Sequence, residues 1–118
     1  MSEAFITDEN KLLFALGLCA RARKMTIGAP MICEALKAGG ANAPKLVIES
    51  SDTSENTHKR LTDRCRYYGV KHIRLCADGD TLSKMIGKTS AVAAVAISDN
   101  EFCKLAGQYI RFTESDQI

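Results

Sequence analysis

Along this chain, segments in which apolar residues recur every three or four positions are separated by short, continuous apolar runs. Leu12, Leu16 and Cys19 show the helical spacing, and basic residues crowd the end of that segment. Mostly apolar runs, which are typical of buried strands, lie at residues 25–27, 45–50 and 91–97. Residues 70–76 form a further expected strand, in which His72 alternates with apolar residues. This alternation of helix and strand signals predicts a parallel or mixed sheet with helices on both faces, an α/β/α sandwich.

Capping residues and glycines set the expected bounds of five helices. Thr7 is the expected cap of the first helix, and the second helix is expected between Gly28 and Gly39. The remaining three are expected from the caps in "SDTSENT" to Gly69, from Asp80 to Ile86, and from Ser98 to about Tyr109. The third helix is expected to bury a stripe of Leu61, Cys65 and Tyr68. We expect one domain over residues 1–118, with its core at about 10–109 and polar tails that fray.

The net charge of +2 conceals an uneven distribution of charged residues. All 16 Lys and Arg residues lie between Lys11 and Arg111, whereas five of the 14 acidic residues lie in the tails. Residues 10–112 therefore carry 16 basic and 9 acidic side chains, a net charge of +7. A basic folded body favours a polyanionic partner.

The residues that could support catalysis, metal binding or targeting form no recognisable pattern. The five cysteines include no CxxC spacing, so we expect reduced thiols that lie mostly on buried helix faces. His58 is expected at the surface and His72 half-buried on a strand. Cys65 and His58, seven residues apart on a helix, could be drawn as a nucleophile and base but are too far apart to hydrogen-bond. The expectation is a protein that is not an enzyme and has no metal or cofactor.

The amino-terminal segment has an acidic sequence without an apolar stretch, and no run approaches the roughly 20 apolar residues of a membrane span. A cytoplasmic location without membrane contact is expected from these two features.

Two basic clusters are candidates for nucleic-acid contact. The first, "RARK" at 21–24, lies one short strand before the helix that begins at Gly28, so its cations are expected to share a rim with the free N–H groups of that helix. The second comprises Lys59, Arg60, Arg64, Arg66, Lys71 and Arg74, for which a solvated charged face is an equally good interpretation. Because aromatic residues make up only 6% of the chain, structured RNA is favoured over base stacking on single strands.

A resemblance to a known family is carried by three stretches: "KLLFALGLCARARKMTIG", "EALKAGGANAPKLVIESSDTSENTHKRLTDRCRYYGV" and "IGKTSAVAAVAISDNEF". Together they resemble the ribosomal-protein superfamily that binds RNA kink-turns, and within it the bacterial YlxQ-like branch. The resemblance implies a four-stranded mixed sheet. It also implies RNA contact by the start of the second helix and by the loop before the last strand.

This chain departs from the family pattern at the start of the second helix. Gly28 is kept, but Pro30 and Met31 stand where the family carries asparagine and glutamate, and Glu34 replaces a lysine. Bidentate base contacts need amide or carboxylate side chains, so we expect RNA binding that is sensitive to salt and led by shape. The expected RNA-binding residues are Arg21, Arg23, Lys24, Gly28, Ala29, Pro30, Met31, Lys37, Lys88, Thr89 and Ser90.

Two functions remain open from the sequence. The first is a non-catalytic protein that binds structured RNA of the kink-turn kind, which could include ribosomal RNA, and that could have protein partners in a ribonucleoprotein. The second is a protein-interaction module that has lost RNA recognition and uses the rim formed by residues 29–31. Glu34 discriminates between them, because an RNA-binding face gains or tolerates a lysine there.

Overall fold

The computed structural model of the protein describes residues 4–112. Within them, five helices and six short strands follow one another along the chain. The helices are α1 (Glu9–Arg21), α2 (Ala29–Ala38), α3 (Glu55–Tyr68), α4 (Gly79–Met85) and α5 (Asn100–Gly107). The strands are β1 (Ala4–Ile6), β2 (Met25–Ile27), β3 (Leu46–Glu49), β4 (Lys71–Arg74), β5 (Ala94–Ile97) and β6 (Ile110–Phe112).

The main sheet has four strands in the order β2-β5-β3-β4. β5 is antiparallel to both β2 and β3, and β3 is parallel to β4, so β2, β3 and β4 run in one direction. We call the edge at which these three strands end the carboxyl edge, and the edge at which they begin the amino edge. β5 enters the sheet at the carboxyl edge and leaves it at the amino edge.

Helices cover both faces of this sheet, which confirms the three-layer α/β/α sandwich. On one face, α1, α4 and α5 pack on strand residues that include Leu46, Ile48 and Val95. On the other face, α2 and α3 pack on Val47 and on the alanines of β5. Alternate residues of β3 serve the two layers because successive side chains of a strand point to opposite faces.

The sequence did not reveal a second, two-stranded sheet. β1 pairs antiparallel with β6, joining Ala4 to Phe112 and Ile6 to Ile110. The core therefore extends at both ends beyond the expected 10–109. Residues 112–118 were expected to fray, but Phe112 pairs with Ala4 in this sheet, and residues 113–118 lie outside the described residues.

Several expected details of the helices are corrected. The cap of α1 is Asp8 rather than Thr7, because the Asp8 carboxylate accepts a hydrogen bond from the Lys11 amide. Tyr68 does not belong to the buried stripe of α3, since it is 38% exposed, whereas Leu61 and Cys65 are buried. Helix α5 ends at Gly107, and Tyr109 lies in the turn before β6.

All five cysteines are free thiols. Those of α1, α2 and α3 are buried, that of α5 is half-buried, and Cys76, which follows β4, is exposed. None of the described helices is long and apolar enough to cross a bilayer.

Candidate functional site

The start of α2 lies at the carboxyl edge. Gly28, with φ at 96°, adopts a backbone conformation that favours glycine, and its amide donates a 2.9 Å hydrogen bond to the Ala94 carbonyl. The Ile32 amide closes the first helical hydrogen bond on the Gly28 carbonyl. The amides of Ala29 and Met31 precede it and so have no acceptor within the helix, and Pro30 has no N–H. Two N–H groups are therefore available here for an anion.

The side chains of this turn differ in accessibility. Ala29 packs into the core with 5% exposure, so it offers only its backbone to a ligand. Pro30 is exposed and Met31 is 60% exposed. The rim of this helix is therefore apolar in its side chains and polar in its backbone.

The loop between α4 and β5 reaches the same edge of the sheet. The Ser50 amide donates to the Ala93 carbonyl at 2.8 Å, so the loop enters β5 between the ends of β2 and β3. Lys88, Thr89 and Ser90 lie in this loop and are exposed. The structure thus places the residues expected at 28–31 and at 88–90 at one edge of the sheet.

Arg23 and Lys24 lie elsewhere, so the expected shared rim is wrong. Because Met25 pairs with Ile97 at the start of β2, both residues lie at the amino edge. There they line a polar cleft with Asn42, Lys45 and Asp99. Three residues of extended strand separate this cleft from Gly28, a distance of roughly 10 Å. RNA contact by Arg23 and Lys24 would therefore need a surface other than the carboxyl edge.

Arg21 is the last residue of α1, and its side chain lies close to α4. Its Nη2 atom is 3.7 Å from the position that a Cβ atom would take on Gly17, and the Met85 carbonyl oxygen is 2.8 Å from that position. The Arg21 cation therefore sits near the carbonyl end of α4, where the helix dipole favours positive charge. A role in packing the two helices is sufficient to account for its placement.

Lys37 lies in a groove between α2 and α3 that the sequence did not reveal. The groove has a volume of about 290 Å³ and is lined by Pro30, Cys33, Glu34, Lys37, Arg60 and Arg64. Cys33, Glu34 and Lys37 lie three, four and seven positions after Pro30, so the four α2 residues share one face of that helix. Arg60 and Arg64 are four residues apart and share the face of α3 that lies opposite. The groove therefore joins the start of α2 to part of the second basic cluster.

The other members of that cluster differ in their contacts. Lys59 pairs with Asp63 at 3.3 Å, Arg74 pairs with Glu49 at 3.5 Å, and Lys71 lies over the Phe112 ring. Among residues 4–112, no carboxylate lies within 4 Å of the cationic atoms of Arg60 or Arg64. These two arginines are therefore the cations of the cluster that face the groove without a carboxylate partner.

A polar cluster beneath α3 holds that helix on the sheet. Glu49, fully buried at the end of β3, accepts hydrogen bonds from His58 Nδ1 at 2.8 Å and from His72 Nε2 at 2.8 Å. An ionised carboxylate only accepts, so both histidine nitrogens carry a proton. The sequence predicted that His58 lies at the surface, but its ring is partly buried and hydrogen-bonded to Glu49. The prediction that His72 is a half-buried structural residue is confirmed.

The pKa of Glu49 reflects two opposing effects. Burial raises it, but the hydrogen bonds from His72 and His58, together with their positive charge when protonated, hold it below its ordinary value of 4.5. The carboxylate is therefore ionised at neutral pH and is satisfied by its partners.

Cys65 and His58, which the sequence placed too far apart to act as nucleophile and base, each have another environment in the structure. Burial raises the pKa of the Cys65 thiol to about 12, so it is protonated at neutral pH. His58 directs its Nδ1 atom to Glu49. Within residues 4–112, no group of three or more His, Cys, Asp or Glu side chains is arranged to hold a metal ion.

Comparisons with known proteins agree with this architecture. Residues 10–106 match the sequence model of the ribosomal protein L7Ae/L30e/S12e/Gadd45 family. The chain belongs to this family. Its membership confirms the resemblance seen in the sequence, and the L7Ae-family chain is not an enzyme.

Two relatives of this L7Ae-family chain carry the name RNA-binding protein YlxQ. The one from Bacillus subtilis is 37% identical over 87 residues, which cover 74% of this chain and 82% of that protein. The one from Enterococcus faecium is 30% identical over 103 residues, covering 87% and 94%.

Two solved structures share the fold. A protein of unknown function from Bacillus halodurans aligns with a TM-score of 0.72 and 34% identity, covering 82% of this chain and 94% of its own. The 15.5kD RNA binding protein of Giardia lamblia aligns with a TM-score of 0.69, covering 86% of each chain. At 17% identity, the second similarity shows the fold alone.

Proposed function

We propose that this protein binds structured RNA of the kink-turn kind through its carboxyl edge. The observation that carries the proposal is the meeting of two elements there: the start of α2 and the loop that carries Lys88, Thr89 and Ser90. The amides of Ala29 and Met31 suit a phosphate, and Lys88 adds an exposed positive charge. Further support comes from the two relatives named as RNA-binding proteins.

Recognition at this edge is led by shape. Pro30 and Met31 offer no amide or carboxylate to a base edge, so the side chains at the start of α2 cannot read bases by paired hydrogen bonds. Backbone amides and a lysine contact phosphates, which positions an RNA without reading its sequence. A sharply bent RNA presents its phosphates in an arrangement that a straight duplex lacks. We extend the proposal to ribosomal RNA as the source of this partner because the family is one of ribosomal proteins.

The test is a titration of a labelled kink-turn RNA and a plain duplex of equal length, at about 50 and 200 mM salt. Lys88→Ala and Lys24→Ala form a matched pair, because each removes one exposed lysine, at the carboxyl and the amino edge respectively. We expect preference for the kink-turn, with Lys88→Ala weakening binding several-fold and Lys24→Ala having little effect. A larger loss in Lys24→Ala, or equal binding of the two RNAs, would contradict the proposal.

The protein-interaction alternative is favoured by one observation, the 60% exposure of Met31 beside exposed Pro30. Glu34→Lys separates the two functions. An RNA-binding face gains a cation, so we expect affinity for the kink-turn RNA to rise at 50 mM salt and the gain to shrink at 200 mM. If neither the parent protein nor Glu34→Lys binds RNA, the protein-interaction function takes precedence.

A further inference from the structure

The outward face of α3 carries a line of side chains that the proposed carboxyl-edge contact does not use. Arg60, Arg64 and Tyr67 lie four and three residues apart, so they follow one another along the helix surface. All three are exposed, and Tyr67 is 81% exposed. An accessible tyrosine ring offers a flat apolar surface to a partner.

The exposed Tyr67 ring has one aromatic neighbour. It packs edge-to-face on Tyr68, with ring centroids 4.9 Å apart and an interplanar angle of 84°. This contact leaves most of the Tyr67 ring open to solvent. An exposed aromatic ring is a platform on which a planar group can stack.

The two arginines belong to the groove that begins at the carboxyl edge. Arg60 and Arg64 face Lys37 across it, and Pro30 lies at the end nearest the start of α2. A strand that leaves the carboxyl edge would thus meet three cations and one carboxylate, Glu34, a net charge of +2, and then the aromatic ring. Cations that follow a backbone and a ring that stacks on a base are the two parts of a single-strand binding surface.

We propose that the groove between α2 and α3 binds a single-stranded RNA segment that flanks the structured RNA. Arg60, Arg64 and Lys37 contact its phosphates, and an unpaired base stacks on Tyr67. The inference rests on the proposed RNA binding at the carboxyl edge and adds a second surface to it. Overall aromatic content argues against base stacking, but composition does not show that two of the seven aromatic residues form a pair beside these arginines.

The same helix supplies a matched control. Lys59 and Arg66 are seven residues apart and form a different stripe of α3, and Lys59 is already paired with Asp63. Arg60→Ala/Arg64→Ala and Lys59→Ala/Arg66→Ala therefore remove two charges each from one helix. All four residues are exposed, so both variants are expected to fold, which thermal unfolding by circular dichroism checks.

The experiment measures binding of the full chain to a kink-turn RNA with and without a single-stranded extension of about six nucleotides. We expect the extension to raise affinity roughly tenfold in the parent protein and in Lys59→Ala/Arg66→Ala. The gain is expected to disappear in Arg60→Ala/Arg64→Ala and in Tyr67→Ala, both of which should still bind the unextended RNA.

Each other outcome has a distinct meaning. Equal affinity for the extended and unextended RNAs would overturn the proposed binding of single-stranded RNA in the groove, while the proposed function of the carboxyl edge would stand. Equal loss of the gain in both double variants would also overturn binding in the groove, since binding then follows charge alone. A gain that survives in Tyr67→Ala overturns stacking on this ring. Failure of the unextended RNA to bind any variant overturns the proposed function, and the groove inference falls with it.

Discussion

Glu49 is a carboxylate at a strand position whose neighbours in the same strand are all buried and apolar. A buried, unpaired carboxylate costs several kcal/mol, and two histidines and Arg74 offset that cost here. The cluster joins β3, β4 and α3, and so fixes the helix that carries Arg60 and Arg64.

Glu49→Gln tests this cluster through stability. An amide cannot accept both histidine protons with the strength of a carboxylate, so we expect the free energy of unfolding at pH 7 to fall by about 2 kcal/mol. Urea unfolding of both proteins measures the difference. No change would show that the hydrogen bonds contribute nothing net.

The lowered pKa of Glu49 also predicts how the stability of the parent protein and of Glu49→Gln depends on pH. The folded pKa lies below the ordinary value of 4.5, so the carboxylate's contribution is complete above about pH 4.5 and is lost as the pH falls through the folded pKa. We expect the parent protein to lose stability more steeply than Glu49→Gln between about pH 5 and 3. Parallel curves would contradict the assignment.

The sequence predicted the residues of this cluster only in part. His72 was expected to be half-buried from its alternation with apolar residues, and that is confirmed. The sequence did not single out Glu49 within the run at 45–50, and His58 was expected at the surface. Their contact joins residues nine positions apart through the packing of α3 on β3, which periodicity along one element does not encode.

At the scale of elements, α1 and α4 approach each other closely at Gly17, which has no side chain to hold them apart. A Cβ atom on Gly17 would lie 2.8 Å from the Met85 carbonyl oxygen, a distance that forces the helices apart. Alanine usually stabilises a helix interior by about 1 kcal/mol relative to glycine. Here the steric cost is larger, because the contact is with backbone rather than with a flexible side chain.

Gly17→Ala is therefore expected to lower the free energy of unfolding by roughly 1–2 kcal/mol. The matched control is Gly107→Ala in α5, where an added Cβ atom meets nothing within 4 Å, and which should leave stability unchanged or slightly raised. Thermal unfolding of both variants decides the matter. Stabilisation by Gly17→Ala would mean that α1 and α4 move apart at no cost.

The five helices and the four strands of the main sheet could be predicted because each carries its own periodicity, caps or apolar run. β1 and β6 could not be predicted. Each has three residues, too few to show an alternation, and each is stabilised by pairing with a strand more than 100 residues away. Propensity gave no signal for pairing between the two ends of the chain.

At the scale of the whole molecule, topology decides which candidate residues meet. The sequence showed that a short strand joins "RARK" to Gly28, but not that the strand separates them onto opposite edges of the sheet. It also left open whether the second basic cluster faced the site. Packing of α2 beside α3 brings Arg60 and Arg64 to the groove and leaves Lys59 paired outside it.

The salt dependence of binding measures this division of charge. Four exposed cations, Lys37, Arg60, Arg64 and Lys88, face the proposed surfaces, so we expect log K for the extended RNA to fall against log salt with a slope of roughly −3 to −4. Arg60→Ala/Arg64→Ala should reduce that slope by about 1–2. A slope near −7, matching the net charge of residues 10–112, would indicate that the whole basic body binds without a defined surface.

The most direct test of the central claim, that RNA meets the carboxyl edge, is an NMR titration of the isotope-labelled protein with a kink-turn RNA. We predict that the backbone amide signals of Gly28, Ala29, Met31 and residues 88–90 shift first and most, while those of Lys24 and Lys45 at the amino edge change little. Shifts centred on the amino edge, or no shifts at either edge, would contradict the account.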